Sequence, residues 1–210
     1  MRGLPFYVDE RVIVPRSFIG ELLDSHFGGE ADDDGGALIS DPASVENVLD
    51  LCTGSGCLAI LAARRFPHAR IDAVEISKDA LEVATRNIAD YSLGDRVKLH
   101  RGDLFKPLGG KRYDLIISNP PYVDAVGMAA LPRECRAEPK LAFDGGADGL
   151  DIIRRILNEA PRHLTPQGGL LCEIGRGREL LEAAFPQLPL LWLDTPESDG
   201  EVFWIGAPDL

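Results

Sequence analysis

The residues of this chain best suited to chemistry are Asn119-Pro120-Pro121-Tyr122. They follow an apolar run, Tyr113-Asp114-Leu115-Ile116-Ile117, that reads as a buried strand. Each proline fixes its own φ and lacks an N–H, and each pushes the residue before it out of the helical region. The product is a stiff, extended turn with a free carbonyl on Pro120. The Asn119 side chain offers a second carbonyl. Two acceptors held side by side can grip one –NH2 group, and the Tyr122 ring can cover it. The turn therefore suits a planar amide or an aromatic amine. It lies past the end of a probable sheet strand, where open α/β sheets bind ligands.

A second group of residues surrounds Asp50-Leu51-Cys52-Thr53-Gly54-Ser55-Gly56. Gly54 and Gly56 let the backbone pass close to a ligand. The helix behind them supplies free N–H groups that suit a carboxylate or phosphate. Glu75 ends the next strand, about 20 residues on, where an acid binds ribose hydroxyls. Asp103, in Gly102-Asp103-Leu104-Phe105, ends the third strand. It is placed to accept an exocyclic adenine amine, with Phe105 or Leu104 against the ring. The loop is ambiguous, because Gly54, Gly56 and Ala59 also satisfy a dinucleotide fingerprint. Asp50 tilts the balance, since an acid there suits an ammonium better than a pyrophosphate. S-adenosylmethionine carries an ammonium, a carboxylate, a ribose diol and an adenine amine. Asp50, the loop N–H groups, Glu75 and Asp103 answer these four in turn.

The elements that must position these groups can be read from periodicity. Residues 6–8 and 12–14 are expected to form a small hairpin, and Pro15 to open a helix carrying Phe18, Ile19, Leu22, Leu23 and Phe27 on one side. Residues 28–44, rich in Gly and Asp, are expected to be a flexible loop. From residue 45 to 210 strands and helices alternate. Strands are predicted at 47–51, 70–75, 97–101, 113–117 and 169–174. Helices are predicted at 57–66, 78–89 (with Ser77 as N-cap), 150–163 and 178–185. A closing strand pair, 190–194 and 202–205, should be antiparallel. This is an α/β pattern, a mostly parallel seven-stranded sheet with helices on both faces. Residues 123–147 are expected to be a long loop, with Arg133 and Arg136, that closes over the substrate.

At 210 residues the chain suits one domain with a real core. Its net charge of −12 argues against binding bare nucleic acid through phosphates and favours a basic partner. The four cysteines, Cys52, Cys57, Cys135 and Cys172, form no C-x-x-C pair. They read as reduced and mostly buried, and no metal site is expected. The histidines at 26, 68, 100 and 163 have no ligand spacing. No apolar stretch could span a membrane and the N-terminus carries no signal pattern, so a cytoplasmic protein is expected; no exposed apolar helix stripe demands a partner, so it is expected to be a monomer.

At this point the residues resemble a family. Asp50 to Gly56, Glu75, Asp103 and the Asn-Pro-Pro-Tyr turn are similar to those of Rossmann-like class I S-adenosylmethionine-dependent methyltransferases. That turn is shared by adenine amino-methyltransferases of DNA and by protein-(glutamine-N5) methyltransferases. Residues 6–16 and 137–150 resemble the glutamine branch. The wording of residues 49–57 resembles enzymes that methylate large-subunit ribosomal protein number three, with release-factor enzymes, or adenine amino-methyltransferases acting on nucleic acid, as the alternatives. The resemblance implies methyl transfer to a glutamine amide of a basic protein substrate, with S-adenosylhomocysteine as the product. It implies catalytic roles for Asn119, Pro120 and Tyr122, and substrate-binding roles for these three and Pro121. Cofactor roles are implied for Arg16, Asp50, Cys52, Thr53, Gly54, Ser55, Gly56, Glu75, Ile76, Asp103, Leu104, Phe105 and Asn119.

Two departures accompany the resemblance. Cys52 replaces the first glycine of the general loop, so no special backbone role is expected there. Family members carry an N-terminal helical domain for substrate recognition, and here Met1 lies only a few residues before the expected hairpin. The chain is therefore expected to be a catalytic domain. Two other classes stay open on the residues alone: a nucleotide-binding oxidoreductase, suggested by the glycine loop, and a non-catalytic binding module that keeps the fold.

Overall fold

The computed structural model describes residues 1–28 and 37–210, with the side chains of residues 134 and 136 outside that description. In chain order these residues form α1 (Ile19–Ser25), β1 (Asn47–Leu51), α2 (Cys57–Arg65), β2 (Arg70–Glu75), α3 (Lys78–Asp90), β3 (Val97–Arg101) and β4 (Tyr113–Ser118). Then come α4 (Ala125–Ala129), α5 (Asp151–His163), β5 (Leu164–Glu173), α6 (Arg178–Ala184), β6 (Leu191–Thr195) and β7 (Ser198–Gly206). The strands make one seven-stranded sheet of order β3-β2-β1-β4-β5-β7-β6. The first five are parallel, and β7 runs antiparallel between β5 and β6.

Successive side chains of a strand point to opposite faces, and that alternation builds two cores. Val48, Ile71, Ala73, Leu115, Ile117 and Leu171 pack beneath α1 and α2. Leu49, Leu51, Val74, Ile116, Leu170 and Cys172 pack beneath α5 and α6. β1 is central, and its last four residues are all buried. Chain order reverses between its neighbours β2 and β4. The crevice at that reversal, past the strands' carboxyl ends, is where a doubly wound sheet receives ligands.

The expected hairpin is not formed. Residues 6–14 carry a single turn, with Val12 N–H donating to the Asp9 carbonyl at 3.2 Å. The segment's backbone groups are met by side chains instead. Asn87 Oδ1 accepts from Tyr7 N–H at 2.8 Å and its Nδ2 donates to the Tyr7 carbonyl at 3.0 Å. Glu138 accepts from Val14 N–H at 3.1 Å. A hairpin partner strand is therefore unnecessary. The first helix starts at Ile19 rather than Pro15, and it buries Ile19, Leu22 and Leu23 with Phe27 just beyond, as their spacing predicts.

Ser77 caps α3 as expected, accepting from Ala80 N–H at 3.2 Å. The long loop is partly ordered by α4 and by a bridge between Val123 and Asp144. Of the expected flexible loop, residues 29–36 lie outside the described residues, Asp32, Asp33 and Asp34 among them.

Asn87 is 1% exposed and also donates to the Ser55 carbonyl at 2.8 Å, so it ties the N-terminal segment and the glycine loop to α3. Its removal strands three backbone partners. Asn87→Ala should destabilise the protein by about 2–4 kcal/mol in urea unfolding. A loss below about 1 kcal/mol would mean that water replaces the amide there.

Candidate active site

Five strand ends converge on one edge. Leu51 of β1 pairs with Val74 of β2 and Ser118 of β4, Glu75 of β2 with Arg101 of β3, and Ser118 with Cys172 of β5. The residues that follow face a cavity of about 170 Å³. Its walls include Cys52, Gly54, Glu75, Ile76, Asp103, Leu104, Asn119 and Pro121. Eight of the expected site residues are thus brought together.

The glycine loop is shaped by left-handed residues. Cys52, Gly54 and Gly56 have φ of 60°, 54° and 79°. The expectation for Cys52 is therefore corrected. The position keeps the left-handed backbone that favours glycine although a cysteine stands there. Thr53 N–H, donating to the Val74 carbonyl at 3.1 Å, holds the turn. Packing is tight at Gly56 as well, because a Cβ there would lie 3.3 Å from the Ala84 Cβ. Gly54 is different: a Cβ there would meet nothing within 4 Å, so the space above it is open to a ligand.

The acids behave differently from one another. Asp50 is fully buried beneath the loop. Its Oδ2 accepts from the Thr53 hydroxyl at 2.5 Å, while its Oδ1 has no partner. Burial pushes its carboxyl up to about 7. Glu75 accepts from Gly54 N–H at 3.0 Å and from Ser77 N–H at 2.9 Å, which fixes it at the cavity wall with lone pairs to spare. Asp103 is gripped by two cations, Lys106 at 2.7 Å and Arg155 at 2.6 Å, which hold its carboxyl below the usual range. Ile76 is half exposed on the cavity rim.

The turn after β4 keeps its acceptors free. Among the described residues the Asn119 side chain has no hydrogen-bond partner and the Pro120 carbonyl accepts none. Tyr122 donates to Glu173 Oε1 at 3.3 Å, and its ring lies against Gly175, where a Cβ would come within 2.6 Å.

Other expected residues fall outside the cavity wall. Thr53 and Ser55 are buried within the loop. Phe105 is buried and stacked on His163, with centroids 4.6 Å apart, so Leu104 alone of that pair faces the cavity. Arg16 forms a two-pronged pair with Glu138, at 2.5 and 3.0 Å. The N-terminal segment lines the cavity with Arg11, Val12 and Ile13 instead. From the long loop come Pro139, Leu141, Ala142 and Asp144. Arg133 is exposed, and the Arg136 side chain lies outside the described residues.

Sequence reasoning missed Glu173, Asn87 and Arg155. The available signal for Glu173 was an acid closing the apolar run Leu170-Leu171-Cys172, on the strand beside Asn119. Among the described residues no helix is long and apolar enough to cross a membrane.

Known proteins resemble the chain in sequence and in fold. Residues 26–131 match the model of the methyltransferase small domain. The chain is 76% identical, over its whole length, to a ribosomal protein uL3 glutamine methyltransferase of Bradyrhizobium diazoefficiens, and covers 65% of it. It is 54% identical to the protein of that name from Bordetella pertussis, covering 68%. The chain thus spans about two thirds of the length of the curated relatives it matches. A solved methyltransferase from Pyrococcus furiosus shares the fold, at TM-score 0.66 and 19% identity over 97% of this chain and 88% of that one.

Asp50 and Glu173 both carry carboxyls raised by burial, from 3.8 and 4.5 to about 7. A raised folded value contributes stability that is full below the unfolded value and is lost as pH rises through the folded one. The unliganded protein should therefore lose stability from these two groups as pH rises from about 4 to about 7. In urea unfolding, Asp50→Asn should remove Asp50's share of that loss, on the order of 3 kcal/mol. An unchanged pH slope in the variant would contradict the assignment.

Proposed function

This chain belongs to the methyltransferase small-domain family and, within it, to the ribosomal protein uL3 glutamine methyltransferases, and from that membership we propose that it methylates the side-chain amide nitrogen of a glutamine in ribosomal protein uL3. The observation that carries the reading is the pair of unengaged acceptors, the Asn119 side chain and the Pro120 carbonyl. Asn119 stands at the wall of a cavity whose residues fit S-adenosylmethionine, and Pro120 is the buried residue that follows it. Three features support that fit: the open space above Gly54, the partnerless Asp50 Oδ1 beneath the loop, and Glu75 at the wall.

S-adenosylmethionine supplies the methyl group as a sulfonium. Glu75 would take its ribose hydroxyls and Ile76 with Leu104 its adenine face, while the Thr53, Gly54 and Gly56 N–H groups are already engaged within the fold. Asp50, buried beneath the loop, would favour its cationic end when ionised. A glutamine amide nitrogen is a poor nucleophile because its lone pair is delocalised into the carbonyl. Asn119 Oδ1 and the Pro120 carbonyl would accept its two N–H bonds. They hold the nitrogen in place and stabilise the positive charge that develops on it. No strong base is needed beforehand, because the proton can leave after transfer. The net charge of −12 attracts a basic ribosomal protein in the cytoplasm.

The test offers labelled S-adenosylmethionine with ribosomal protein uL3, a release factor and DNA in parallel. Peptide mass spectrometry then locates the methyl group. Label is expected on a glutamine of uL3. Asn119→Ala should lower turnover by about 100-fold, the scale of losing one such fixed dipole, with cofactor affinity largely kept. Label on the release factor alone or on DNA would overturn the substrate. An equal collapse of cofactor affinity would overturn the role of Asn119.

A further inference from the structure

Glu173 is a buried carboxylate that the proposed chemistry does not use. It ends β5, 1% exposed, one residue past the pair Ser118–Cys172, and so stands beside Asn119. No cation pairs with it among the described residues. A carboxylate buried without a cation is costly unless hydrogen bonds hold it. Here three donors do. Oε2 accepts from the Ser17 hydroxyl at 2.6 Å and from Phe18 N–H at 3.0 Å, and Oε1 accepts from the Tyr122 hydroxyl at 3.3 Å.

The three donors lie behind two walls of the site, a few residues along the chain from the lining residues 11–13 and 119 and 121. Phe18 is the N-cap of α1, and its own side chain makes no capping bond, so Glu173 satisfies that backbone from across the fold. The segment just before it lines the cavity at residues 11–13 and is clasped to the long loop through Arg16 and Glu138. Tyr122 is the last residue of the acceptor turn. Its ring is backed by Gly175 and its tip is held by Glu173. Val123, next in sequence, is locked by its N–H to the Phe143 carbonyl at 2.8 Å.

We propose that Glu173 is a positioning residue that fixes Tyr122, and with it the Asn119–Pro120 acceptors, while tying the N-terminal segment to the same sheet edge. The cofactor wall and the substrate wall then hold their spacing as one unit. The proposal rests on the reading of residues 119–122 as an amide-gripping turn.

Two variants of the full protein test it. Glu173→Gln keeps the volume and removes the charge. Tyr122→Phe removes one hydroxyl and keeps the ring. Each should lower kcat by about tenfold, as a displacement well under 1 Å would do, with cofactor Kd changed less than about twofold. The double variant should be no slower than the worse single one, because both cut the same contact. Amide hydrogen exchange should rise in Glu173→Gln at Phe18 and at Val123 together. Wild-type kcat in Tyr122→Phe, additive losses, or faster exchange at Phe18 alone would overturn the proposal. If the unaltered protein methylates no glutamine, the functional reading fails, and the paired exchange at Phe18 and Val123 still decides whether Glu173 links the two walls.

Discussion

Two consecutive prolines at the end of β4 are the constraint on which the site depends. They remove two backbone N–H donors at the point where the sheet stops. The chain must therefore leave β4 extended, and the Asn119 side chain and Pro120 carbonyl are left without donors of their own. Unmatched acceptors are usually avoided at a half-buried position. Here Asn119 lines the cavity and Pro120 follows it, so a ligand amide would supply the missing N–H groups.

The rest of the site follows from bringing other strand ends to the same edge. β1 contributes a turn of left-handed residues, β2 contributes Glu75, and β3 contributes Asp103. The three acids are tuned by their surroundings rather than by their type. Asp50 and Glu173 are raised by burial, and Asp103 is lowered by Lys106 and Arg155. Parallel pairing sets the spacing of the groups along the edge, so site geometry is carried by buried Val, Ile and Leu as much as by the polar residues. Beyond the edge, Asn87 and Glu173 fasten the N-terminal segment over the cavity.

Much of this was legible in the sequence because it is local. Strands 47–51, 70–75 and 97–101 are found at their expected bounds, since apolar runs between turn residues leave little choice. Ser77 as a cap and the stiff turn at Asn119 are consequences of residue type alone. What was missed is long-range. Residues 6–14 alternate like a hairpin, yet Asn87, 80 positions away from Tyr7, takes the hydrogen bonds that a second strand would have taken. Phe105 looked available to a ligand ring until α5 placed His163 against it. Arg155 and Lys106 claim both oxygens of Asp103, an outcome that depends on where α5 docks. Cys52 shows a different limit. Its left-handed backbone is imposed by the loop's hydrogen bonds, and the side chain tolerates what it does not favour.

The most direct measurement is a crystal structure of the protein with S-adenosylhomocysteine and a glutamine peptide of uL3. The account predicts the amide nitrogen within about 2.7–3.2 Å of both Asn119 Oδ1 and the Pro120 carbonyl, with the Tyr122 ring over the amide plane. A glutamine held by other groups, with Asn119 and Pro120 still unengaged, would contradict it.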